Sequence, residues 1–354
     1  MSPDRQTQRA GENSTQVQAT TVVINQGISE ERVHEIMRVE RERLKQEFEV
    51  EARAVIDVRL EALDARLLPA LAEGDDLGEF ANPAFVRAYR KAQNGAAASE
   101  RESDYDMLAG LLKERADRST ERPTIAGIEK AIEIVDLVDD DALRGITVLQ
   151  AVFTLSPNSH LAFKGLDAME TLFAQLLDGP LPEGADWMDH LDVLNAVRVT
   201  SGSDFRPFDE YYTERLHGYA CPGILAENVP ATLSPPYEHV TWGDSLIDHE
   251  FKPGFKRIGA SNERTMRYLM GLNGVDDAQI EATVSEANSA MGFAGTDAEA
   301  ITGFIAALDQ RPSLSAIRAW WGRIPSHLAI TAVGKTLARA NAYRLDVSGS
   351  YPRD

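Results

Sequence analysis

The 354-residue sequence holds a single cysteine, Cys221. A lone thiol excludes an internal disulfide framework and points to a reducing, cytoplasmic compartment. Long apolar runs are missing too. A membrane helix needs roughly 18 apolar residues, and the best candidate, Ile146 to Leu155, is interrupted by Thr147 and Gln150, so no membrane span is expected. Positive charge is scarce: 36 Lys and Arg stand against 56 Asp and Glu, a formal charge of -20. Such a surface repels phosphate backbones, which makes nucleic acid an unfavourable partner. The phosphate cradles GxxxxGK[ST] and GxGxxG are absent, as are HExxH and GxSxG; His34-Glu35 opens like the third, but Arg38 stands where its second ligand belongs. No cofactor is expected on these grounds. What remains is an ordinary globular composition, 43% hydrophobic and 26% charged, in a chain long enough for more than one packed unit.

Periodicity predicts a mainly α fold. Residues 1–14 are polar and read as an arm, and Thr15 to Ile24 alternates β-branched residues as a strand without a hairpin partner, giving a first segment over 1–28. From Ser29 the period becomes helical, and a single long helix is predicted over 29–74, with an apolar seam near heptad spacing that includes Val33, Met37, Leu44 and Phe48, then Leu63 and Leu67. The seam is broken at Glu40 or Arg41 and at Arg59, while Ile56, Val58 and Leu60 widen it, as if other helices embrace that end. A helical bundle follows over 75–200, with a helix start at Thr124, another at the Asp139-Asp140-Asp141 run, and a helix from Asp186 to Val199. Residues 201–260 are rich in proline and aromatics and read as an ordered, irregular insert with short strands at Glu238 to Trp242 and Phe255 to Ile258. Helical periodicity resumes over 261–354 as a C-terminal unit.

Several residue groups carry chemistry in principle. Asp186 and His190 lie one turn apart and could share a metal, but carboxylates in a first helical turn are explained by the helix dipole, so no metal is assigned there. His239, Asp244, Asp248, His249 and Glu250 gather loop carboxylates and histidines, the raw material of a hydrolytic or metal site, without matching a ligand template. Cys221 with His217 has the residue types of a thiol nucleophile and its base, yet Gly218 and Pro222 break the helix that would align them. Lys252, Lys256, Arg257, Arg264 and Arg267 form the one basic stretch, the residue types of an anion or partner site, but the many carboxylates of their own chain favour pairing within the molecule. Trp320-Trp321 reads as core followed by a turn.

Three stretches resemble known families. GENSTQVQ, followed by a strand and a long helix, is similar to the GDNSxQxQ-like N-terminal tract of an uncharacterised bacterial family, with Glu12 in place of the usual aspartate. NPAFVRAYRKAQNGAAASERESDYDMLAGLLKERA and IEKAIEIVDLVDDDALRGITVLQAVF resemble its helical core and, more weakly, Abi-alpha-like abortive-infection proteins; HLAITAVGKTLARAN resembles the helix start near their end. The resemblance implies an intracellular bacterial protein linked to phage defence, without catalytic residues to carry over. The expectation is therefore a non-enzymatic, cytoplasmic interaction or scaffold protein that assembles with itself through Val17, Val22, Val23 and Ile24 of the strand and Val33, Met37, Leu44 and Phe48 of the helix. The competing reading is a hydrolase or metal-dependent enzyme working at the His239–Glu250 cluster.

Overall fold

The computed structural model describes residues 30–118, 121–200, 205–229 and 246–352. The fold is mainly α, with fourteen α-helices and five short strands among the described residues. The predicted strands at Thr15 to Ile24 and Glu238 to Trp242 lie outside them, as do Ser29 and the interface candidates Val17, Val22, Val23 and Ile24. The chain divides into two units, Met1–Val55 and Ile56–Asp354.

The described part of the first unit is the beginning of helix α1, which runs unbroken over Glu30–Glu73. Its side chains pair with one another along the helix: Arg32 with Glu35 at 2.6 Å, Lys45 with Glu42 at 2.9 Å and Arg53 with Glu49 at 3.8 Å. Such exposed pairs contribute only a few tenths of a kcal/mol each.

In the second unit, α1 continues through Pro69, which forgoes one helical hydrogen bond. Burial of Leu63, Leu67 and Leu71, all fully enclosed, holds the helix together across that gap. Enclosure thus begins at Leu63. Ile56 and Val58, expected to be embraced, remain exposed. The helix stops at Asp75, whose φ of 59° is left-handed, with the Asp76 N–H closing back on Leu71 O at 2.8 Å.

Helices α2 (Pro83–Ala98), α3 (Glu102–Asp117), α4 (Arg122–Ile132), α5 (Asp140–Thr154), α6 (Ala162–Leu176) and α7 (Asp186–Val193) follow. Asp139 caps α5 as its sequence position implies, accepting from Ala142 N at 2.8 Å. Thr124 does not cap α4: the helix starts two residues earlier, with Pro123 in its first turn, and the Thr124 hydroxyl donates to Glu121 at 3.1 Å. The helix predicted to reach Val199 ends at Val193 instead. Asn195 turns left-handed at φ 60°, Ala196 N bonds back to Leu191 O at 2.8 Å, and Val197–Thr200 becomes strand β1.

Next come α8 (Phe208–Arg215), α9 (His217–Ala220), β2 (Ile224–Leu225), β3 (Leu246–Asp248), β4 (Phe255–Ile258), α10 (Glu263–Leu272), α11 (Asp277–Met291), α12 (Ala298–Asp309), α13 (Pro312–Trp321), β5 (His327–Ile330) and α14 (Ala332–Leu345). β1 pairs antiparallel with β5, Val197 opposite Ile330 and Thr200 opposite His327. β4 lies between β2 and β3, antiparallel to both.

Residues 56–354 cluster as one unit, within which the segments expected at 75–200, 201–260 and 261–354 pack on one another. Helix α14, from the expected C-terminal unit, packs on α3, α4 and α5. Aromatics of the expected insert explain the rest. Phe205, Phe208 and Tyr211 surround Trp321, with ring centroids 4.9, 5.6 and 5.2 Å away, and Phe251 meets Phe304 at 6.1 Å. Among the described residues a smaller core, built from Cys221, Ile258, Met266, Ile280, Val284, Met291 and Phe293, is separate from the main one.

Candidate functional site

The structure gathers much of the predicted chemistry at the junction of α9, β3 and β4, and spends it on the fold. Arg257 of β4 is fully buried. Its guanidinium donates to both carboxylate oxygens of Glu250, at 2.7 and 2.8 Å, and to the carbonyls of His160 at 3.0 Å, Ile258 at 2.8 Å and Gly218 at 3.3 Å. It also lies 5.2 Å from the Tyr219 ring centroid. Glu250 in turn accepts from Ala162 N, the first residue of α6, at 2.8 Å. Burial pushes the Glu250 carboxyl up, but the Arg257 bonds outweigh it and hold it below the ordinary range.

Both histidines of this region are locked as neutral tautomers. His249 accepts on Nδ1 from Phe251 N at 3.2 Å, which leaves Nε2 to donate to Cys221 O at 2.9 Å. His217 does the reverse: Nε2 accepts from Glu263 N at 3.3 Å and Nδ1 donates to Phe293 O at 2.7 Å. Burial lowers the pKa of each. Neither ring keeps a free nitrogen for general-base work.

Cys221 is fully buried, its thiol 3.5 Å from Gly218 O, and burial pushes it up to about 11. A thiol so protonated is a poor nucleophile. The structure therefore brings Cys221, His217 and His249 into one neighbourhood without forming a nucleophile and base pair. Asp248 is exposed and pairs with Lys256 at 2.7 Å, while His239 and Asp244 lie outside the described residues.

The remaining candidates are placed as follows. His190 Nε2 lies 3.1 Å from Leu137 O and 3.5 Å from an Asp139 carboxylate oxygen, so its partner is the α5 cap and not Asp186. Among the described residues no cluster of three His, Cys, Asp or Glu is arranged to hold a metal. Lys252 pairs with Asp297 at 3.1 Å and Arg267 with Glu281 at 2.7 Å, so with Lys256 and Arg257 four cations of the basic stretch find carboxylates of their own chain. Arg264 is exposed. Trp320 and Trp321 are core, donating their indole N–H to Pro182 O at 2.7 Å and Arg206 O at 2.8 Å.

Two of the larger clefts carry charged side chains in their linings. One of about 860 Å³ lies beside Trp321, where Arg318 donates to Asp209 at 2.6 and 2.7 Å and to Asp309 at 2.9 Å. Another of about 530 Å³ lies between α3 and α14, where Arg339 is bound to Glu114, and Lys113 to Asp76 and Asp117. The charges lining both clefts are already matched within the fold.

Among the described residues, an exposed aliphatic surface lies on α1. Every side chain described from Arg32 to Val58 is exposed, including Ile36 at 43%, Met37 at 52%, Leu44 at 48%, Val50 at 69% and Val55 at 43%. The predicted interface residues Met37 and Leu44 belong to this surface; the side chains of Val33 and Phe48 lie outside the described residues. Sequence reasoning missed Val39 and Val50, because they stand off the seam.

Fold and surface together define a mainly helical protein with a long apolar-studded helix and no helix, among those described, that is long and apolar enough to cross a membrane. A model of a family of uncharacterised proteins matches residues 27–351, and the chain belongs to that family. No curated protein and no solved structure matches it.

Proposed function

We propose that this is a non-enzymatic, cytoplasmic scaffold protein that works as a homo-oligomer through residues 30–55 of α1, with a role in bacterial phage defence as its resemblance to abortive-infection proteins implies. The observation that carries the assembly reading is the apolar exposure of that helix: large aliphatic side chains recur along it and every described one is open to solvent. Scattered exposed aliphatics are ordinary, but a repeated set on one helix is a surface for partner helices.

Charge favours a second copy as the partner. Residues 30–55 carry eight acidic and six basic side chains, a balance of -2, which leaves -18 of the total -20 to the rest of the chain. Two copies meeting elsewhere bring strongly acidic surfaces together. Meeting here, they bring together mixed charges of both signs. The hydrolase reading has no comparable support, since His217, His249 and Cys221 are committed to backbone partners.

Light scattering on the full chain tests this. The wild type is expected at a multiple of the chain mass, and Met37→Glu with Leu44→Glu at the mass of one copy with an unchanged thermal midpoint, because exposed substitutions cost little folding free energy. Wild-type protein with the mass of one copy, or a variant that keeps the assembly, overturns the reading. Truncation to Glu79 is a poorer test, since it strips Leu63, Leu67 and Leu71 from the core.

A further inference from the structure

We infer that Arg87, Lys91 and Arg115 form a binding site for a small dianionic oxyanion of the phosphate or sulfate type, where α2, α3 and α4 meet. This stands apart from the assembly reading. Arg115 follows Leu112, Leu111 and Leu108 by three, four and seven residues, so it shares their core-facing side of α3. It is only 3% exposed. An arginine stays charged wherever it is placed, so enclosing it is costly unless its N–H groups find acceptors. Arg257, also buried, spends its guanidinium on five hydrogen bonds. Arg115 does not: neither its Nε nor its Nη1 has a hydrogen-bond partner among the described residues.

The surrounding charges point to what fills that gap. Glu129 of α4 lies 3.7 Å from Arg115 Nε, too far for a hydrogen bond. The same carboxylate is approached from α2 by Arg87 at 3.3 Å and Lys91 at 3.5 Å, both longer than a close charged hydrogen bond. The nearer acid for Lys91 is Glu133 at 2.6 Å, which Lys130 shares at 2.9 Å. Four cations therefore share two carboxylates, on a chain whose total charge is -20. Water would fill the open donors of Arg115 but leave the surplus positive charge. A dianionic oxyanion answers both, and a guanidinium is the side chain best suited to it. Arg87, at 65% exposure, leaves the site open to solvent. The acidity of the whole surface disfavours long polyanions, but a small ion here is governed by the charges within a few ångströms.

Calorimetric titration of the full chain with sodium phosphate, against sodium chloride at equal ionic strength, tests this. One phosphate per chain is expected to bind, at least about tenfold more weakly in Arg115→Met and in Arg87→Gln with Lys91→Gln. The second variant alters side chains outside the core, so it decides alone if Arg115→Met does not fold. Glu129→Gln is expected to do the reverse, because it removes a competing carboxylate. It should bind phosphate more tightly than the wild type, and its thermal midpoint should be higher in phosphate than in chloride. A purely structural role for Arg115 gives no such recovery. No saturation by about 10 mM phosphate, binding that survives Arg87→Gln with Lys91→Gln, or equal midpoints of Glu129→Gln in both salts overturns the inference. Acetate that binds as tightly as phosphate overturns the dianionic class.

Discussion

Replacing Arg257 by Met should cost this fold about 3–5 kcal/mol, the range for breaking a buried ion pair by removing one partner. The guanidinium makes five hydrogen bonds, two of them to Glu250. Its loss strands the Glu250 carboxylate in a site where that side chain is only 11% exposed, and removes the donors that reach His160 O and Gly218 O. The same pair ties β4 to the start of α6 through Ala162 N, so the damage is not confined to one loop. Removing both partners together, Arg257→Met with Glu250→Leu, should cost less than the sum of the single changes by about 1–3 kcal/mol, because no charge is left buried alone. Urea unfolding followed by tryptophan fluorescence measures all three variants, since Trp320 and Trp321 sit in the main core. The acid side supplies an internal check. Glu250 has a folded pKa below its ordinary value, so the stabilisation from the pair is fully present above the unfolded pKa of about 4.3 and is lost as pH falls through the folded one. A single-variant cost under about 1 kcal/mol, or strictly additive single and double costs, refutes the reasoning.

Gly334→Ala should destabilise by about 3 kcal/mol or more, because a Cβ there would lie 2.0 Å from the Ala196 carbonyl and 2.8 Å from Ile146; Gly110→Ala in α3, with nothing within 4 Å, should stabilise by about 0.5–1 kcal/mol, and thermal midpoints moving the same way for both would count against this account. His217 and His249 are neutral in the fold with lowered pKa values, so the unfolded chain takes up their protons first. Stability should therefore fall as pH drops below about 6.5, by up to about 1.4 kcal/mol per pH unit for each histidine. Asp104 and Asp136, raised by burial, act in the opposite sense, so Asp104→Asn and Asp136→Asn backgrounds isolate the histidine contribution. Urea midpoints that stay flat from pH 7.5 to 5 would show that the two rings are not held neutral.

What the sequence determined by itself is what acts within a few turns of chain. The mainly α fold follows from helical periodicity, and the α5 cap at Asp139 from a side chain reaching its own first turn. The long helix across Pro69 is legible in the spacing of Leu63 and Leu67, and the composition of residues 30–55 already shows a near-neutral helix on an acidic protein. Tertiary structure decided the rest. Helical periodicity predicts a helix to Val199, yet Val197 to Thr200 is a strand, because residues 327–330 offer it a ladder that no local signal announces. The start of α14 looked like a family motif; in the fold its Thr331 caps Gly334 N at 3.2 Å and donates to Ala196 O at 2.9 Å, where only glycine fits the approach. His217, Cys221 and His249 had the residue types of an active site, and only the backbone groups of Phe293, Glu263, Phe251 and Cys221 itself show how both rings are used. Residue type states what a side chain can donate or accept. Which partner claims it depends on segments brought together from far apart in the chain, and burial then decides whether anything is left for chemistry.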